Sequence, residues 1–237
     1  GHNLQTKHLN AHWVTEADRN DWSVYSNRAG ENSNNIFPYN TVWNYYRKIQ
    51  GDDLEITDGH MNHKKLFAVI QSDLAGLTQN INGINKKVIY DKDCNLMGSF
   101  DASSSNNRYS VIWENSAYAA DNGMRMSFLL QLPVMLDKQT MRDGTILENG
   151  MDIFTLLYSQ SRLFAQAANN ETDWNSARDG LGFGLFPYEG GDPYGGLRVK
   201  NIPGNDFLLV ALGVITGKDW RTYFDLRGVR YSDLAAQ

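Results

Sequence analysis

The sequence predicts a mainly α-helical chain with long loops and one short β-hairpin, and three observations carry that expectation. Apolar residues recur at steps of three and four in six stretches, the period of a helix with one buried face. Between them lie two regions, 80–107 and 170–205, dense in Asn, Gly, Asp and Ser, residues that give the backbone local alternatives to a helix. Strand-like runs are confined to Lys87-Val88-Ile89-Tyr90 and Tyr109-Ser110-Val111-Ile112-Trp113, the two arms expected for the hairpin.

The elements follow in order. Residues 2–12 carry His2, His8 and His12. His8 and His12 stand at i, i+4, so on a helix their rings would share a face; with no acidic residue between them at the second position, a solvated helix face is expected. The stretch from Trp13 to Gly30 is polar and aromatic by turns and reads as a long loop, a type of segment often used for function. Ile36, Tyr39, Val42/Trp43 and Tyr46 then mark an amphipathic helix, with Pro38 tolerable only near its first turn. Its aromatic stripe, Phe37, Trp43, Tyr45 and Tyr46, reads as core. Asp52, Asp53 and Asp58 form an acidic loop without the spacing of an EF-hand.

Residues 63–80 read as the next helix, with Leu66, Phe67, Val69/Ile70, Leu74 and Leu77 on its apolar side. Ser103-Ser104-Ser105 lacks the Gly-x-Ser-x-Gly frame of a nucleophile elbow and reads as an exposed loop. Helical periodicity resumes at Met126, Leu129/Leu130, Leu132 and Leu136, with Pro133 expected to kink or end the helix. Asp152 is the expected cap of a helix whose core stripe is Ile153, Leu156/Leu157 and Leu163/Phe164. Gly180-Leu181-Gly182-Phe183-Gly184 has no strand before it and no Lys-Ser/Thr after it, so it is not a phosphate cradle and reads as mobile surface. Two final helices, about 205–215 and 218–226, are expected to meet at Thr216-Gly217, where Gly supplies a left-handed cap and Asp219 enters the new first turn.

Composition excludes several functions. The chain has 237 residues, 41% of them apolar, enough for a sizeable core, and no internal boundary forces a split. Its 22 basic and 27 acidic residues give a formal charge of −5, which supplies no basic field for nucleic acid. Cys94 is the single cysteine, so an internal disulfide framework and a Cys-rich zinc site are both excluded. The longest apolar run, Phe207 to Ile215, falls short of the roughly 18 to 20 residues a membrane span needs. The opening residues show neither a charged n-region nor an apolar h-region.

Chemistry concentrates at the start. A histidine, His2, followed at a distance by a glutamate, Glu31, that opens a helical stretch is a zinc-site arrangement, because imidazole nitrogen and carboxylate oxygen both suit zinc. Gly1-His2-Asn3-Leu4-Gln5, Trp13, and Glu31 with Asn35-Ile36-Phe37 behind it resemble the enhancin-like zinc metallopeptidases, a gluzincin family. Its pattern runs His-Glu-x-Gly-His-Asn-x-Gln, then a spacer, then a ligand Glu shortly before an Asn and an apolar helix. Arg125 to Leu132 is similar to the family's helix after the metal site, and Gly150 to Tyr158 to the next one. Asp206 to Val210, Thr216 to Phe224 and Gly228 to Ser232 resemble its closing pair of helices.

The resemblance implies that residues 1–237 are the helical C-terminal part of a metallopeptidase catalytic domain, beginning inside the zinc-binding motif. His2 would be the second histidine ligand and Glu31 the third ligand, with Glu16 as the rival third ligand. Glu31 is preferred because Asn35-Ile36-Phe37 follow it in the family's register, whereas Ala17-Asp18-Arg19 follow Glu16. The first histidine and the general-base Glu have no counterpart in these residues, so no catalytic residue is expected here and the rest of the motif is expected upstream in the same polypeptide.

Further expectations follow from the family. They are a Zn cofactor, an O-glycosylated mucin-like substrate cut beside a glycan-bearing Ser or Thr, and a secreted or cell-surface location. Trp13, Trp22, Asn115 and Asn122 are substrate-binding candidates, as aromatic faces and amide donors expected in loops close in sequence to the metal or to the following helix. Neither nucleic acid nor a membrane span enters the reading. The alternative is a non-catalytic glycan-binding or adhesin module. A carboxylate-pair glycosidase built on Glu31 and Glu114 finds no support in the spacing.

Overall fold

The computed structural model of the chain describes residues 7–9, 36–38, 40, 41, 44, 45, 49, 78–90, 96–101, 122–189, 198–226, 229 and 231–237. A 3-10 turn, Lys7–Leu9, comes first, and the described positions between 36 and 49 have helical backbone. Three strands follow: β1 (Thr78–Ile81), β2 (Ile84–Tyr90) and β3 (Leu96–Asp101). Five helices complete the described chain: α1 (Asn122–Leu136), α2 (Ile153–Ala167), α3 (Glu171–Ala177), α4 (Gly204–Thr216) and α5 (Arg221–Leu226). Short 3-10 turns at Gly150–Asp152 and Val199–Asn201 precede α2 and α4. No helix among the described residues is long and apolar enough to cross a membrane.

The strands form an antiparallel sheet in the order β1-β2-β3, one strand more than the expected hairpin. Asn82 and Gly83, both at positive φ (54° and 83°), make the two-residue turn joining β1 to β2. That geometry matches the right-handed twist of the flanking strands and strongly favours Asn-Gly. Asn80 reinforces it by accepting a hydrogen bond from the Gly83 amide at 3.0 Å. Lys87–Tyr90 is strand, as expected, but pairs with β1 and β3; the other expected arm, 109–113, lies outside the described residues. The helix expected over 63–80 is overturned at its end, where Thr78, Gln79 and Asn80 are strand, and the rest of that range lies outside the described residues.

The helical core is built around α2 and α4. Along α2, Ile153, Phe154, Leu157, Ser161, Phe164 and Ala167 are buried, a single stripe at helical spacing, while Leu163 stays 52% exposed. α4 is buried almost all round, from Gly204 through Leu209 and again at Ala211, Leu212 and Thr216, the pattern of a helix inserted into a core. Its one acidic residue, Asp206, is fully buried in the first turn and accepts hydrogen bonds from the Ser232 amide (2.9 Å) and hydroxyl (2.5 Å). A carboxylate at the positive end of a helix, with bound donors, offsets the cost of leaving water. It also ties the C-terminal turn to the core.

α1 runs unbroken through Pro133 to Leu136, contrary to the expected kink or stop. Proline there costs the bond that its missing N–H would have made, yet Leu132 and Leu136 on either side are fully buried and hold the last turn in place. Gly150 explains how the next segment fits against it. A Cβ on Gly150 would lie 1.9 Å from the Pro133 carbonyl oxygen, so only glycine allows this approach. The Gly150 amide then donates to Asp137 at 2.9 Å.

The cap before α2 also differs from expectation. Asp152 makes no side-chain capping bond; Asn149 does, accepting from the Met151 amide at 3.1 Å. At the other end of the chain the expected glycine cap is present, but the last helix begins only at Arg221, so Asp219 precedes its first turn and is not part of it. Gly217, at φ 68°, closes α4 with its amide bonded to the Gly213 carbonyl, and Asp219 accepts from the Arg221 amide at 2.9 Å as α5 begins.

Residues 178–189 do not form a purely surface segment as expected: Gly180, Gly182 and Leu185 are exposed, but three side chains between and beside them enter the core. Leu181, Phe183 and Phe186 are buried, and the Phe186 carbonyl accepts from the indole N–H of buried Trp174 at 2.9 Å. Gly182 and its neighbours turn the chain so that Phe183 stacks on Phe207, ring centroids 5.8 Å apart.

Candidate functional site

The candidate metal ligands His2 and Glu31, the rival Glu16, and the substrate candidates Trp13, Trp22 and Asn115 all lie outside the described residues. Asn122 does not sit in a loop as expected; it is the first residue of α1. Among the described residues no cluster of three or more His, Cys, Asp or Glu could hold a metal. What the described residues do show is the packing of two segments that follow the candidate ligands in sequence.

His8 is the first part of it. The expected solvated face is overturned: the residue is only 4% exposed. Its ring lies edge-on to Phe164 (4.9 Å between centroids) and tilted against Phe207 (5.1 Å). Nδ1 is 3.0 Å from the Ser161 hydroxyl and Nε2 is 3.4 Å from the Lys200 carbonyl oxygen. A carbonyl can only accept, which assigns the ring hydrogen to Nε2 and leaves Nδ1 to accept the Ser161 hydroxyl hydrogen. His8 stands six residues after His2, the spacing of the third histidine in the motif His-Glu-x-x-His-x-x-Gly-x-x-His. Both ring nitrogens are engaged within the core, and Gln5 stands where that motif has Gly. His8 is therefore an anchor and not a ligand. Leu9, 1% exposed, is buried beside it.

The segment behind Glu31 is anchored in a matching way. Ile36 is 2% exposed, and the Phe37 ring lies 5.3 Å from that of Tyr158 on α2. Of the expected aromatic stripe there, Phe37 packs inward while Tyr45 is 45% exposed; Trp43 and Tyr46 lie outside the described residues. Tyr158 and Ser161 are three residues apart on one helix, so their side chains are neighbours about 5–6 Å apart at Cβ. One turn of α2 thus seats both the residues that follow His2 and those that follow Glu31. Sequence reading missed this. The signal within reach was a lone serine inside an otherwise apolar helical stripe, since a buried hydroxyl needs a partner from elsewhere in the chain.

The Tyr158 hydroxyl is buried without a hydrogen-bond partner among the described residues, and burial pushes its pKa up to about 12. Tyr231 is also pushed up to about 12, by partial burial and then by donating to the Asp225 carboxylate at 3.0 Å. Both phenols ionise near 10 in the unfolded chain and later in the folded one. The stability their protonated forms contribute is complete below pH 10 and is lost as pH rises to about 12. Alkaline unfolding followed by tyrosinate absorbance is expected to show these two rings titrating with the unfolding transition; titration of every tyrosine near pH 10 in the folded protein would contradict the burial.

An open groove of about 610 Å³ is lined by Met141, Arg142, Asp143, Leu156, Asp179 and Val214, among others. Its two carboxylates, Asp143 and Asp179, are fewer than the three protein ligands a catalytic zinc site has, and no group of three potential ligands occurs among the described residues.

No family model matches the chain. Over 238 aligned residues it is 29% identical to the immunomodulating metalloprotease of Pseudomonas aeruginosa, covering 99% of this chain and 20% of that protein. Two solved structures are similar across 99% of this chain and 21% of theirs, each with a TM-score of 0.59. One is the IMPa metallopeptidase in complex with T-antigen, at 26% identity; the other is IMPa from Pseudomonas aeruginosa in complex with an O-glycopeptide, at 27%. The chain spans about a fifth of the length of these relatives. The metallopeptidase resemblance drawn from the sequence blocks is borne out, and the mainly helical fold matches part of the IMPa fold.

Proposed function

We propose that the chain forms the downstream part of a zinc-dependent endopeptidase that cuts O-glycosylated, mucin-like polypeptides beside glycan-bearing Ser or Thr, outside the cell or at its surface. The observation that carries this reading is similarity to a metalloprotease along nearly the whole chain, 99% of it. The two anchored segments support it further, since each lies shortly downstream of a candidate ligand. The donor set fits the metal: imidazole from His2 and carboxylate from Glu31 are both zinc ligands. Zinc held there would supply Lewis acidity and activate water for attack on the peptide carbonyl.

The work left to this chain is positional. His2 and Glu31 hold the site from two segments, and α2 fixes the spacing between those segments. Trp13 and Trp22 offer aromatic faces to sugar rings, and Asn115 and Asn122 offer amide donors and acceptors to hydroxyls. The O-glycopeptide and T-antigen bound by the related structures support a glycosylated substrate.

The test uses a polypeptide carrying the complete His-Glu-x-x-His segment followed by these residues, given an O-glycosylated mucin peptide and its deglycosylated counterpart. Cleavage beside the glycan, lost with a chelator and restored by zinc, is the expected result, with the deglycosylated peptide left intact. Cleavage indifferent to chelator overturns the metal chemistry. Glycan binding with no cleavage is the result a non-catalytic module gives, and it overturns the peptidase reading.

A further inference from the structure

We infer that Ser161 is a positioning residue of the metal site: its hydroxyl fixes the His8 ring, and through it the segment carrying His2, on the helical turn that also seats the segment behind Glu31. The inference rests on the metallopeptidase reading. Ser161 is 3% exposed and lies in the α2 stripe otherwise formed by Ile153, Phe154, Leu157, Phe164 and Ala167. A hydroxyl in such a stripe costs free energy unless it is bonded, and here it is bonded to a ring 153 residues away in sequence.

The bond does more than satisfy Ser161. Phe164 and Phe207 confine the His8 ring by packing, which is non-directional, whereas the 3.0 Å bond to Nδ1 and the contact of Nε2 with the Lys200 carbonyl set its rotation. His2 precedes His8 by only six residues in sequence. Over so short a lever, a change in the seating of His8 reaches the ligand. The opposing lever is similar: Glu31 precedes Ile36 by five residues, and Phe37 meets Tyr158 one turn from Ser161. A metal site needs its ligands held to about 0.5 Å. A serine placed between the two levers is suited to hold one relative to the other.

The experiment compares Ser161→Ala and Ser161→Thr with the parent in the full polypeptide, measuring zinc affinity by chelator competition, melting of the metal-free protein, and kcat and KM. Ser161→Ala is expected to weaken zinc about tenfold, the lower end of what loss of a supporting partner costs. The metal-free protein should melt within about 3 °C of the parent, since a single net hydrogen bond contributes little to the stability of a chain of this size. Ser161→Thr keeps the hydroxyl and is expected to restore affinity to within about twofold, well inside that tenfold effect. Unchanged zinc affinity in Ser161→Ala, an equal loss in Ser161→Thr, or a collapse in metal-free stability each overturns the positioning role. A parent protein that binds no zinc would instead remove the metallopeptidase reading itself, so the two failures are distinguishable.

Discussion

Glu31→Ala is expected to abolish chelator-sensitive cleavage and to weaken zinc by more than the roughly 10- to 100-fold that loss of an outer-shell partner costs, because on the proposed reading it removes a direct ligand. A catalytic zinc site has three protein ligands and one open position. With one carboxylate gone, two imidazoles and solvent remain, and charge balance shifts by a full unit. Glu31→Gln separates charge from shape and is expected to fall between Ala and the parent. Glu16→Ala is the control with discriminating power, expected to leave zinc affinity within about twofold, as for a surface carboxylate away from the metal. Glu31 is preferred on sequence register, Asn35-Ile36-Phe37 following it as in the family's pattern, and Ile36 and Phe37 are themselves packed in the helical core. If chelator competition shows Glu16→Ala losing zinc while Glu31→Ala retains it, the third ligand is Glu16.

What the sequence made legible depended on how local the deciding physics was. The α2 stripe and the glycine cap at Gly217 are set by helical period and by one residue's backbone freedom; the cap and Ile153, Leu157 and Phe164 are found where expected, whereas Leu156 and Leu163, read into the same stripe, lie on its exposed edge. The Asn82-Gly83 turn, flanked by Ile81 and Ile84, was equally legible as a hairpin signal, yet a composition rich in Asn and Gly around it read as plain loop. Pro133 and Asp152 failed for a different reason. Packing of Leu132 and Leu136 overrides the helix-breaking tendency of proline, and Asn149 reaches the free amide that Asp152 does not.

The site divides in the same way. The assignment of His2 and Glu31 as the chemistry-bearing residues rests on motif resemblance, which needs only short stretches of chain. That His8 is buried, and Ser161 its partner, depends on a contact across 153 residues; the local pattern shows only that a serine in the stripe needs a partner, not which residue supplies it. Gly180 to Gly184 misled because five residues with three glycines look mobile, although Phe183 between them stacks in the centre of the core.

Phe164→Ala is expected to cost about 3–5 kcal/mol, the range for removing a buried phenyl ring. For a chain of about this size that lowers the melting temperature by roughly 6–20 °C. The upper part of the range is the better expectation, because Phe164 is fully buried and its ring meets four others. Their centroids lie at 4.8 Å (Phe183), 4.9 Å (His8), 5.2 Å (Trp174) and 5.4 Å (Phe207). Those neighbours come from the segment after His2, from α3, from the 178–189 turn and from α4, so they cannot all move inward to fill the space left behind. Leu163→Ala, one position earlier on α2 but 52% exposed, is expected to change stability by no more than about 0.5 kcal/mol. Thermal unfolding of the two variants therefore tests which face of α2 is buried. Chelator competition on the same pair tests whether that burial reaches the metal: Phe164→Ala removes one wall of the His8 pocket and is expected to weaken zinc, while Leu163→Ala is not. A Phe164→Ala protein as stable as its Leu163→Ala counterpart would mean that the aromatic cluster does not hold these four segments together.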